Sequence, residues 1–531
     1  MNSIRSFTHK ALCVLLLFSC LTACRTTPEA PITIPSVNDT AQTTRTALTG
    51  GTLRVPINAD PYSLHPLYVR ELQTRNVFSM IFEPLLAFQD NGEPAPCLAE
   101  SWKQENGVWV LSLRPNVHWH GDLGEMTGQD AAWTINTVLA DPASIYYTTL
   151  SYYIERADGY DNTLLLYPRV NSYALLYALN IPVIPQSYYE GKSQTTRDIP
   201  RGSGCFCVDS LSFDPAMHMS LTAFSKWWKK LPHLEGVEAI GYTDTKSMLD
   251  DFSLKSLDCV PTSLKTTDPY EILDHVNSVN YLSYNYVFLA FNLQNAFLRN
   301  SGLRKALAYS IDRSEIIQNV YLTKATGAEQ PLFHDSSLTS ASVTQYDHNI
   351  TLAKSLLTQS GFTDQNGDGM IDGVLLRLAV IQNTENPLRL KAAETLQAQF
   401  EKAGVRVSVT AYSENDLKAC IARGDYDLLL TGSALSDAPN LAFLFQDGPT
   451  NFSHYSSAAA DEIFARRPAT FDELKSMMLA LQNLLAEDLP QIGLFMEMNT
   501  FLYRDDLIVP AIRRETTVYR SVNTWYFVAG E

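Results

Sequence analysis

Leu375-Leu-Arg-Leu-Ala-Val-Ile381, the stretch from Leu388 to Ala403, Val405-Arg-Val-Ser-Val-Thr410, the stretch from Asn415 to Arg423 and Tyr426-Asp-Leu-Leu-Leu-Thr431 decide the fold. The three short apolar runs predict strands. The two intervening stretches carry apolar residues at helical spacing and predict helices. Strands that alternate with helices imply an α/β lobe. Working outward, 352–359 and 474–485 predict flanking helices and 491–495 a further strand. Towards the N-terminus, Tyr286 to Asn292 reads as a long apolar strand. Gly302 to Tyr321 reads as one helix, with Leu303, Ala306, Leu307, Ile311 and Ile317 on or near one face. Before these, 52–57, 108–113, 163–166, 219–221 and 237–240 alternate as strands do. Residues 75–88 hold apolar positions at helical spacing, and 133–139 predicts a helix capped by Asp130. No internal repeat is present.

The chain has 531 residues, too many for a single hydrophobic core, so two or more lobes are expected. A hydrophobic content of 45% with 18% charged residues fits a globular fold. The net charge of −17 argues against nucleic acid as a partner, because that needs clustered basic surface. The first two dozen residues are of another kind. Arg5 and Lys10 precede an apolar run from Ala11 to Leu21, which is too short to span a bilayer. It ends in Leu21-Thr22-Ala23-Cys24, which resembles the bacterial lipoprotein signal. That resemblance implies a signal peptide over 1–23, acylation of Cys24, and a mature protein held to a membrane by lipid outside the cytosol. Residues 24–49, rich in Thr, Pro, Ala and Ser, read as a flexible tether.

Five cysteines lie beyond Cys24, namely Cys97, Cys205, Cys207, Cys259 and Cys420. An exported location permits disulfides, but an odd number leaves at least one thiol free or paired with another chain. Cys205-Phe-Cys207 suits either a redox or metal pair or two small apolar residues of a strand. His118-Trp-His120 has the spacing of two side chains on one strand face, with no third ligand at a recognisable distance in sequence. Asp364-Gln-Asn-Gly-Asp-Gly369 resembles the start of a calcium loop. Position twelve would be Leu375, where a bidentate glutamate is wanted, so a turn is favoured. No nucleophile-elbow or phosphate-cradling motif occurs, and neither a metal nor a cofactor is expected.

Several ordered blocks resemble the family 5 extracellular solute-binding proteins of peptide and nickel ABC importers. They include Asp60-Pro-Tyr-Ser-Leu-His-Pro66, Ile81-Phe-Glu-Pro-Leu-Leu86, Gly92 to Trp102, Trp109 to Arg114 and Val117-His-Trp-His-Gly121. Thr127-Gly-Gln-Asp130, Pro200-Arg-Gly-Ser-Gly204, Leu303 to Arg313 and Ala353 to Leu357 continue the pattern, which covers roughly 51–530. The resemblance implies a two-lobed, periplasmic-binding-protein-like α/β fold with an extra subdomain in lobe I and the ligand in the cleft between lobes. Lobe I is expected over 50–287, completed by a C-terminal return at 500–531, and lobe II over 288–499. The implied function is capture of peptides and their delivery to an ABC transporter permease, by a monomer without catalysis. A nickel complex or modified peptide is the alternative cargo, and an exported hydrolase or adhesin on this scaffold the alternative class.

The same resemblance supplies site residues. Arg70, Glu71 and Leu72 match a loop that lies along the ligand, Tyr146 an aromatic after Asp-Pro, and Phe288 the strand into the second lobe. Peptide-binding relatives have Gly-Trp followed by an aspartate for the ligand's amino terminus. Here the segment is Thr431-Gly-Ser-Ala-Leu-Ser-Asp-Ala-Pro439, with Ser433 at the tryptophan position and Ala434 after it. Ser436 stands at the aspartate position and Asp437 one residue later, so the clamp is either lost or displaced. Asn383 stands where dipeptide binders place an arginine for the carboxylate. Without both clamps, ordinary dipeptides are expected to bind weakly, and longer or blocked peptides better. The N-terminal motif yields a direct test. Cys24→Ala should release the protein into the soluble envelope fraction with its signal uncut or miscut; a mutant that still partitions as mature protein into detergent micelles would place the anchor elsewhere.

Overall fold

The computed structural model describes residues 47–383 and 387–529. Cys24, the signal segment and nearly all of the tether therefore lie outside the described residues. The core of the second half is a seven-stranded mixed sheet. Its order is Cys259–Thr262, Gln491–Arg504, Val276–Phe291, Leu428–Ala434, Leu375–Ile381 and Arg406–Tyr412, with Ala325–Gly327 also paired to Gln491–Arg504. Leu375–Ile381 is parallel to both of its neighbours. Parallel neighbours need crossover connections, and the helices Leu388–Lys402 and Glu414–Arg423 supply them.

Burial on both faces explains the unbroken apolar runs. In Val276–Phe291, Tyr286, Phe288 and Ala290 face one core, and Val287, Leu289 and Phe291 face the other. Leu429 and Ala379 join the first core, whereas Leu428, Leu430, Leu376, Leu378 and Val380 join the second. The strand Val276–Phe291 has 16 residues and its antiparallel partner Gln491–Arg504 has 14, every one of which is buried. Their register shifts between Leu282/Tyr286 and between Val287/Phe288. The lobe boundaries expected at 287/288 and 499/500 both fall inside this strand pair.

The first half carries two four-stranded sheets. One runs Thr52–Asn58, Gly236–Tyr242, His218–Ala223, Phe206–Ser212; the other runs Ala99–Glu105, Val108–Leu113, Thr163–Pro168, Ile154–Tyr160. Three expectations change in detail. The stretch 302–321 is two helices, Ser301–Ser310 and Arg313–Asn319, because Asp312 accepts from the Glu315 amide at 3.1 Å and so caps a new helix. The helix Gly128–Ala140 is capped by Thr127, with Asp130 as the reciprocal third residue of a capping box. The helix expected within 75–88 occupies Leu72–Ile81, and Leu86–Phe88 turns back as a strand.

The sequence blocks have structural work within this frame. Buried Arg304 donates to the carbonyls of Leu298 at 2.6 Å, Asp488 at 2.6 Å and Leu489 at 3.1 Å, joining its helix to the end of Phe471–Asp488. Arg313 pairs with Glu329 at 3.1 Å and donates to the Gly493 carbonyl at 2.9 Å. Gly202 and Gly204 press their backbones against the carbonyls of Ile81 and Met80, where any Cβ would collide. All five cysteines are free thiols; Cys205 is buried just before the strand Phe206–Ser212, and Cys207 is half-buried within it. Asp364 accepts amide hydrogens from Gly367 at 2.7 Å and Gly369 at 2.7 Å, so the acidic loop closes on itself as a turn.

His118 and His120 part company. His118 is partly exposed, 3.8 Å from Glu125. His120 is fully buried; its Nδ1 accepts from the Gly202 amide at 3.2 Å and its Nε2 faces the Gly204 carbonyl at 2.9 Å, which fixes a neutral tautomer. Among the described residues no group of three or more His, Cys, Asp or Glu could hold a metal ion. Burial lowers the imidazoles of His120 and His65 from 6.5 to about 4. Below 6.5 the unfolded chain therefore binds protons that the folded chain refuses. Stability is full above that value and falls as the pH drops towards 4. Each histidine should remove about 1–2 kcal/mol between pH 7 and pH 5. Urea unfolding across this range should show it, and His120→Asn, less stable at pH 7, should lose correspondingly less on acidification.

Candidate functional site

A cavity of about 400 Å³ lies between the helix Leu72–Ile81, the exit of the strand Leu428–Ala434 and the C-terminal turn at Glu515–Thr516. Its wall thus draws on segments expected in both lobes. The helix contributes Leu72, Arg75, Asn76 and Ser79, a spacing that places all four on one face. Its buried positions Val77, Met80 and Ile81 hold it in the core. Phe78 and Phe82 add aromatic surface, 5.4 Å apart. Tyr146 and Asn180 close another side. Burial pushes the Tyr146 phenol up to about 12.

Five of the expected site residues line this cavity: Leu72, Tyr146, Ala434, Ser436 and Asp437. The others lie elsewhere. Arg70 is exposed, its guanidinium 5.2 Å from the Tyr62 ring centre, and Glu71 accepts from the Tyr62 amide at 2.9 Å. Phe288 is buried in its strand and stacks with Tyr286 at 5.3 Å and Phe452 at 6.3 Å. Ser433 is half-buried opposite Tyr286. Asn383 is exposed just beyond the strand Leu375–Ile381. Arg75, Asn76, Ser79, Tyr284, Glu515 and Thr516 were not expected from the sequence. For the first three the signal was present, since they repeat at helical spacing from Leu72.

Asp437 is the most constrained group of the wall. Its Oδ1 lies 3.0 Å from Arg514 Nη1, and its Oδ2 accepts from the Tyr284 hydroxyl at 2.6 Å. Arg514 also bridges to Asp335 at 2.8 Å and lies 4.0 Å over the Phe333 ring. Tyr284 further contacts Thr516 Oγ1 at 2.8 Å. Burial lifts the Asp437 carboxyl above the usual carboxylate range, against the opposing pull of Arg514. Ser436 turns its hydroxyl to the Ala438 carbonyl at 3.2 Å. Glu515, whose carboxyl burial also raises, accepts from Asn499 Nδ2 at 3.1 Å.

A mixed α/β body with a cavity whose wall mixes aromatic and polar side chains drawn from both halves of the chain suits a two-lobed binding protein. The chain belongs to the bacterial extracellular solute-binding proteins, family 5, whose family model matches residues 93–452. Among proteins of similar sequence is the oligopeptide-binding protein AppA of Bacillus subtilis, 23% identical over 489 residues, covering 86% of this chain and 88% of that protein. Among solved structures is the ABC transporter substrate binding protein CtaP of Listeria monocytogenes. Its TM-score is 0.76 at 21% identity, covering 90% of this chain and 99% of that one. The B. subtilis AppA complex with a nonapeptide superposes with a TM-score of 0.63 at 20% identity, covering 91% and 100%. These likenesses bear out the two-lobed fold expected above.

The Arg514 cluster yields a stability test. Arg514→Met leaves Asp437, which is enclosed, and the half-buried Asp335 without their cation and should cost about 3–5 kcal/mol in urea unfolding. Adding Asp437→Asn and Asp335→Asn should restore much of that loss.

Proposed function

We propose that this protein is a lipid-anchored, extracytoplasmic binding protein that captures short peptides in the cavity and hands them to an ABC transporter permease. The cavity carries this reading. Its volume of about 400 Å³ suits a small ligand or short peptide, and its wall mixes aromatic surface with separated polar groups. Family membership and the oligopeptide named for the B. subtilis relative support it. The paired strands Val276–Phe291 and Gln491–Arg504 are the connection about which lobes 50–287 with 500–531 and 288–499 would close. Closure would bury the ligand and present the liganded shape to the permease. The function needs no bond-making chemistry in the binding protein; the importer's ATPase supplies the work.

Asp437 enters this reading as a wall group already neutralised by Arg514, so it is a weak receptor for a ligand amine. Ordinary dipeptides, which depend on clamps at both ends, are then poor ligands, and longer peptides gain from backbone hydrogen bonds. Ligand-stripped mature protein should show a thermal shift with a tri- to octapeptide library. Saturation at 100 times the dissociation constant adds about 2.7 kcal/mol of stability. Absence of any shift across the library would count against peptide cargo. Shortened peptides in the recovered mixture, read by mass spectrometry, would favour a hydrolase instead.

A further inference from the structure

The cavity holds one cation that the protein leaves unanswered. Arg75 projects from the middle of the helix Leu72–Ile81 into the wall. Its Nε is buried without a hydrogen-bond partner, and its guanidinium forms no ion pair among the described residues. The next residue, Asn76, is 2% exposed, and its side-chain Nδ2 likewise has no partner. A buried donor left without an acceptor is destabilising. Here two adjacent residues bear that cost on the same wall.

The neighbouring acids do not answer them. Glu515 attracts Arg75 electrostatically but accepts from Asn499 and forms no ion pair with the guanidinium. Asp437 is taken by Arg514 and Tyr284. By contrast, two buried cations of the central sheet region are matched by carboxylates: Arg389 lies 3.0 Å from Glu497, and Lys324 lies 2.7 Å from Glu271.

We infer that Arg75 and Asn76 form an anion subsite that receives a carboxylate of the bound ligand. This rests on the peptide-binding reading above. A guanidinium fork donates two parallel hydrogen bonds to a carboxylate, and the Asn76 amide adds a third donor. The carboxylate comes either from the peptide's C-terminus or from an Asp or Glu side chain. The subsite would take over the role for which Asn383 is unsuited, from the opposite half of the chain.

The test uses ligand-stripped mature protein and two pentapeptide libraries of identical sequences, one as free acids and one as C-terminal amides. Peptides retained by the protein are read by mass spectrometry, and affinities of selected pairs by calorimetry. If the terminal carboxylate is the ligand group, free acids should bind about 10- to 100-fold more tightly than their amides. If an acidic side chain is the group, the retained amides should be those that contain Asp or Glu. In either case Arg75→Gln should erase the preference, while Arg75→Lys should keep part of it. Equal retention of acids and neutral amides by the wild type, or a preference that Arg75→Gln leaves intact, would overturn the subsite and leave peptide binding standing. Retention of neither library by the wild type would overturn both. Should Arg75→Gln not fold, the acid-against-amide comparison in the wild type decides.

Discussion

Of the two paired antiparallel strands, Gln491–Arg504 is buried throughout and Val276–Phe291 is buried from Tyr281 onward except at Asn285, and the remaining architecture is arranged to keep them so. A strand buried on one face needs one cover. From Tyr286 to Phe291 the chain alternates between two separate cores and needs two. The crossover helices cover one side and the cavity-bearing segments the other. The polar side chains on Gln491–Arg504 must then be answered internally. Glu497 is met by Arg389 and approached by Lys265 at 3.7 Å, Asn499 by Glu515, and Thr500 by Asn280 at 3.0 Å.

That constraint sets the electrostatics of the cavity. Charged groups next to a dry sheet are admitted in compensated sets, as in the Asp335–Arg514–Asp437 bridge. Arg514 also covers an aromatic face, which suits the delocalised guanidinium better than an ammonium would. Such a set holds a wall in shape while leaving it weakly charged. Against this background the Arg75 guanidinium stands out, because its Nε is buried without a hydrogen-bond partner.

The strand–helix alternation of 375–431 was legible because each element is a local pattern, apolar every residue or at helical spacing. The strand Gln491–Arg504 was read only as far as Phe495. Its continuation, Met496-Glu-Met-Asn-Thr-Phe-Leu-Tyr-Arg504, carries polar residues whose partners lie far away in sequence, and no local rule marks them as buried. The break at Asp312 was legible in principle, since Asp312 and Glu315 form a helix-start signature, but the apolar face running through Ile311 masked it. The site divides similarly. Leu72, Tyr146, Ala434, Ser436 and Asp437 came from motif position. Arg75 and Asn76 were overlooked because a polar helix face normally means solvent, and here it means a cavity. Glu515 and Thr516 reach the wall through the chain's return, which no spacing records.

The helix Leu72–Ile81 is gripped from behind. The backbones of Gly202 and Gly204 abut its last carbonyls, and His120 ties those glycines in place. The residues that secure it are thus distinct from Leu72, Arg75 and Ser79, which face the cavity. The cavity-facing side chains of the helix can therefore be changed without disturbing its seat. Substitution at the two glycines, by contrast, is closed by sterics.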